Sequence, residues 1–183
     1  LAFFLLFHGS MNLVAIISPE GYNMICGFLG ANWYALVGTL GLAFLVLVHF
    51  AYALILSVQN YRARGTQRYA VVERQEGVEW ASKNMLVLGF IVLGFLCLHL
   101  YNFWFKMQFV ELTGIHTGTF DPQNGAAYVQ ELFAQPVYVV LYLVWLLALW
   151  FHLSHGIWSA LQSLGWSSNI WLPRIKCIGN IVA

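Results

Sequence analysis

The sequence predicts an all-α integral membrane helical bundle with five transmembrane helices, of which the first four form a bundle around buried histidines. Three observations predict it. Only 8% of the 183 residues are charged and 61% are hydrophobic, with a mean hydropathy of +0.73, whereas a soluble domain carries about 25% charged residues. No Asp, Glu, Lys or Arg lies between Glu20 and Arg62, between Lys83 and Lys106, or between Glu131 and Arg174, and each gap holds the ~20 apolar residues that a spanning helix needs. Lastly, His8, His49, His99 and His152 fall one per apolar segment, and an unpaired ionisable group at bilayer depth costs roughly 2.5 kcal/mol or more.

Each element follows from its punctuation. Residues 1–17 read as the end of a first spanning helix, stopped by Ser18-Pro19-Glu20-Gly21, because Pro and Gly both interrupt regular structure. The chain opens without Met inside an apolar run and closes as another apolar run begins, so the first and fifth spans are expected to be incomplete. A short connection, 22–32, leads to a second helix over 33–61. The loop after it holds Arg62, Arg64, Arg68, Arg74 and Lys83, and Lys and Arg mark the cytoplasmic side. A third helix over 83–110 then runs outward.

The connection 111–135 has no Lys or Arg, as an outer loop should. Pro136 opens a fourth helix over 136–164, at a first-turn position where Pro is tolerated. Arg174 and Lys176 return the chain to the inner side, where a fifth helix starts at 173. Residues 1–183 thus read as a single transmembrane domain, amino terminus inside, in a bacterial cytoplasmic membrane. Its partners include the lipid bilayer. A net charge of +1 gives no argument for nucleic acid, and Cys26, Cys97 and Cys177 lie too far apart for metal-ligand spacing.

Two neutral imidazoles on facing helices are what a six-coordinate iron porphyrin requires, and bundles commonly hold cofactors between facing helices. One histidine alone is more often a packed core residue. Four, at one per helix in uncharged hydrocarbon, predict two haems. A closed zinc site needs ligands converging on one point, and the helical rise of ~1.5 Å per residue argues for two. His49 and His152 each precede a glutamine, Gln59 and Gln162, by ten positions, which sets both ~15 Å from the inner boundary. His8 and His99 then form the outer pair.

Small neighbours would admit a flat macrocycle: Ala53 and Gly156 lie four residues after His49 and His152, on the same helix faces, and Gly9 adjoins His8. Propionates would need cations: Lys106, seven residues after His99, for the outer haem, and Arg62 and Lys83 for the inner one. His155, three residues after His152, cannot reach the same iron and would bond a propionate or a quinone. His116 falls in the outer loop.

These residues resemble the dihaem cytochrome b membrane anchor of succinate dehydrogenases and fumarate reductases, in the variant with a single five-helix anchor polypeptide. The resemblance covers nearly the whole chain. It rests on the histidine in each of the first four helices and on FHLSHGIWSALQSLGW, residues 151–166, which is similar to that family's fourth-helix signature of Phe-His followed by Gly-hydrophobic-Trp. It implies two b-type haems, an inner one on His49 and His152 and an outer one on His8 and His99. It also implies an iron–sulfur subunit and a flavoprotein subunit at the cytoplasmic face, and menaquinone as the quinone. The function implied is electron transfer between a quinone pool and succinate oxidation or fumarate reduction in those subunits. A dihaem anchor of another respiratory complex, such as a hydrogenase or formate dehydrogenase, and a non-redox membrane scaffold are the alternatives that the residues leave open.

Overall fold

The computed structural model describes residues 1–30, 32–65, 79–166 and 168–183. Its helices in chain order are α1 (Ala2–Ile17), α2 (Pro19–Leu29), α3 (Trp33–Arg64), α4 (Trp80–Lys83), α5 (Met85–His99), α6 (Gln108–Thr113), α7 (Gly125–Phe133), α8 (Pro136–Ser163) and α9 (Trp171–Val182). A π-helical turn, Leu100–Trp104, continues α5. No strand occurs among the described residues.

Three helices are long and apolar enough to cross a membrane: Trp33–Arg64, Pro136–Ser163, and α5 with its π turn, Met85–Trp104. Helix α1 is apolar but shorter. The all-α, membrane-spanning character read from the charge gaps therefore holds. Of the basic loop that oriented the helices, Arg68 and Arg74 lie outside the described residues.

Two connections and one helix differ from expectation. Residues 22–32, read as a short link, lie largely in α2. Ser18 ends α1 and also caps α2: its Oγ accepts from Gly21 N at 3.0 Å, with Pro19 in the first turn and Glu20 near the positive end of the helix dipole. That is a helix-start signature, so one punctuation mark serves both helices. The outer connection contains α7, capped by Asn124, whose Oδ1 accepts from Ala127 N at 3.2 Å.

The third helix, expected over 83–110, is not continuous. Asn84 leaves helical geometry at φ −112° and ψ 13°, the π turn follows His99, and Met107 at φ −116° and ψ −86° separates it from α6. A π turn widens the helix by one residue. Positions counted across it therefore lose the 3.6-residue register.

The packed centre lies between α5 and α8, where Leu88 and Ala148 are buried with Ala81 of α4, and Met85, Val92 and Phe151 close over them. Helix α9 lies along α8. A methyl on Gly179 would stand 3.5 Å from the Ser154 carbonyl oxygen, so a small residue there sets the approach of the two backbones. At the outer end, α2 and α7 are joined by Asn23, whose Nδ2 donates to Asn124 Oδ1 at 3.0 Å and whose Oδ1 accepts from Ala126 N at 2.9 Å. Helix α3 has no buried residue. It reaches α5 and α8 through side chains, with the Phe50 and Phe90 ring centres 6.1 Å apart.

Candidate functional site: two facing imidazole pairs

Helices α1 and α5 bring His8 and His99 together edge to face, with ring centres 5.7 Å apart and planes at 86°. Helices α3 and α8 do the same for His49 and His152, at 6.1 Å and 80°. The pairs are those expected from depth and helix direction. Both spacings have a chemical meaning: an atom bonded at ~2 Å to one nitrogen of each ring separates the ring centres by about 6 Å.

The surroundings fit a ligand between the rings. Nδ1 of His99 and Nδ1 of His152 are buried and meet no hydrogen-bond partner among the described residues, whereas buried polar atoms are almost always paired. His49 is exposed in mid-helix, where an imidazole surrounded by hydrocarbon needs a partner. Among the described residues no three His, Cys, Asp or Glu side chains converge on one point, so a closed tetrahedral metal site has no donor set. Each pair could instead hold an iron porphyrin, the two imidazoles supplying the nitrogen ligands that such a group would require.

Aromatic rings wall the outer pair. His99 has Phe103 at 5.2 Å, Trp145 at 5.4 Å and Tyr142 at 6.3 Å, while Phe4 stacks on His8 at 5.4 Å and 15°. Trp145 also stacks on Phe95, 6.3 Å away, as its position inside a helix implied. Behind them Asn102, 4% exposed, donates from Nδ2 to the Tyr142 hydroxyl at 3.3 Å. Asn102 sits in the π turn, so the widened turn points a polar side chain into the bundle. The inner pair has Gly89 of α5 beside it: a methyl there would stand 3.8 Å from His152 Cε1.

The small residues expected to give clearance fall as follows. A methyl on Gly9 or Gly156 would meet no atom of the described residues within 4 Å, so neither mediates close helix packing there. Ala53 is half-buried, and its carbonyl accepts from Ser57 Oγ at 2.7 Å. Arg62 and Lys83 are exposed and Lys106 is half-buried. Among the described residues none of these three forms an ion pair. The argument that put Lys106 on the face of His99 fails, because the π turn lies between them. His116 is exposed.

His155, expected to bond a propionate or a quinone, has one ring nitrogen engaged by a carboxylate. It is 8% exposed, with Nδ1 3.5 Å from Glu79 Oε2 and its ring edge on Trp158 at 4.8 Å. Lys176 of α9 donates to Glu79 Oε1 at 2.8 Å and lies 4.2 Å over the Trp158 ring. Partial burial pushes the Glu79 carboxyl up. The hydrogen bonds from Lys176 and His155, with the Lys176 charge, outweigh it and hold the group below the usual glutamate value. From the sequence Lys176 has only an orientation role and Glu79 none, because the loop hides which acid meets α9.

The chain matches no family model, no curated protein and no solved structure. The site is therefore described by its own geometry.

Proposed function

We propose that this chain is a dihaem cytochrome b membrane anchor, with an inner b-type haem between His49 and His152 and an outer one between His8 and His99. The observation that supports this reading most is the pairing itself: two imidazole pairs, on four separate helices, each spaced for axial ligation of one iron. In this reading α1 and α9 belong to a first and a fifth span, and four spans form the haem-binding bundle. The amino terminus lies inside, in a bacterial cytoplasmic membrane.

When bound, haem supplies one-electron chemistry that no side chain of this composition provides. The chain's own work is positional. The imidazoles must be neutral to offer a lone pair to iron. Rigid helices fix the approach of the rings. Phe95, Phe103, Tyr142 and Trp145 exclude water from the outer site, and Phe151, packed with Trp80 and Trp150, covers α8 next to His152. Two sites at different depths make a path across the bundle.

The fourth-helix signature favours a succinate dehydrogenase or fumarate reductase as the parent complex. The soluble partners are then an iron–sulfur subunit and a flavoprotein subunit at the inner face, and the membrane partner is a quinone, menaquinone in this class. Reduced-minus-oxidised absorption spectra of the purified protein, with pyridine haemochrome quantification, test the proposal. Two b-type haems per chain are expected. Absence of a b-type α-band ends it, and copurification with a hydrogenase or formate dehydrogenase reassigns the complex.

A further inference from the structure

The most connected ionic cluster among the described residues is not at the imidazole pairs but one helical turn from the inner one. Glu79 comes from the segment before α4, His155 and Trp158 from α8, and Lys176 from α9. Gly179 lets the α9 backbone approach α8 at Ser154, and Lys176, three residues earlier on α9, then reaches both Glu79 and Trp158. His155 stands between this ion pair and His152 on the same helix.

We infer that Glu79 and Lys176 form a charge-compensated positioning pair that sets the reduction potential of the inner His49/His152 site, coupled to the bundle interior through His155; this rests on the haem reading above. Glu79 and Lys176 are about two-fifths and one-third exposed, so solvent weakens their field at the inner site. What remains is carried inward through the bond to His155, and outer hydrogen bonds are a protein's lever on a metal centre. A lone carboxylate beside the inner site stabilises the oxidised, more positive iron. A lone ammonium does the opposite. Together they nearly cancel, so the pair keeps the inner site close to the potential that its apolar walls give. Among the described residues no ion pair stands at the outer site, where the rings around His99 are Phe103, Tyr142 and Trp145, all uncharged.

The test is potentiometric titration of the full chain in detergent, at one fixed pH, with haem content measured on the same samples. Glu79→Gln should raise the inner-haem midpoint, Lys176→Gln should lower it, and the double variant should return it to the wild-type value. The outer midpoint should stay fixed in all three. A merely structural role moves both singles in one direction or moves both haems together, and either outcome overturns the inference, as does no shift. If a single neutral variant loses its inner haem, Lys176→Arg and the double variant decide: both must hold the wild-type midpoint, and a shift in either sinks the proposal. Wild-type protein without haem ends this inference and the functional reading together, whereas haem-replete protein with unmoved midpoints ends this inference alone.

Discussion

His49 and His152 face each other from α3 and α8 with ring centres 6.1 Å apart and planes at 80°. If that contact is the two ends of an axial ligation, His152→Ala should remove one haem of two, and His99→Ala the other. Pyridine haemochrome assay of each variant reads the stoichiometry. Two full equivalents in either variant would refute the assignment of that pair, while His155→Ala should keep both haems.

Asn102 and Tyr142 form the buried polar contact behind the outer pair. Tyr142→Phe strands the Asn102 amide in an apolar interior, at a cost of about 1 kcal/mol, given the modest worth of interhelical hydrogen bonds in membranes. Adding Asn102→Leu removes the stranded donor and should restore most of the loss. Thermal unfolding in detergent distinguishes the two, and a double variant as unstable as the single would show that the hydrogen bond is not the cause.

Gly179 sets the distance between α8 and α9. Alanine there would place its methyl 3.5 Å from the Ser154 oxygen and 3.7 Å from Ile157, which is ordinary contact. Gly179→Ala should therefore be tolerated. Gly179→Leu overpacks the crossing, at about 1–3 kcal/mol, and should separate Lys176 from Glu79. A melting comparison of the two variants checks the ordering, and equal stability would mean that the crossing is looser than its geometry.

The ion pair at Glu79 gives a pH dependence whose sign is fixed. Its carboxyl lies below the usual value in the folded chain, so its contribution is present in full above the unfolded glutamate value and is lost as pH falls through the lowered folded value. Melting temperature should decline through that acid window in wild type and less steeply in Glu79→Gln. Parallel declines would show that Glu79 contributes nothing. The pair is two-fifths exposed on the Glu79 side and about one-third on the Lys176 side, so solvent screens it and the effect should be small.

How far the sequence could be read depends on the range of the signal. The gaps in charge located three helices long and apolar enough to cross a membrane, because hydrocarbon tolerates few charges and the requirement is local. The histidine pairs followed from depth, since rise per residue is constant along an unbroken helix. What failed was register across irregular turns: Lys106 was placed by counting through residues that form a π turn. Helices α2 and α7 were missed although Ser18 and Asn124 announced them, because Pro and Gly were read only as stops. Glu79 was beyond reach, since its partners lie on α8 and α9, far away in sequence.

The two imidazole pairs interlock along the chain: α1 meets α5, and α3 meets α8. Synthesis runs from the amino terminus, so both halves of the outer pair exist while the inner pair has only His49. The inner site cannot close until α8 has been inserted. The interlocked order of the helices thus lets the His8/His99 contact form before the His49/His152 contact, which waits for α8.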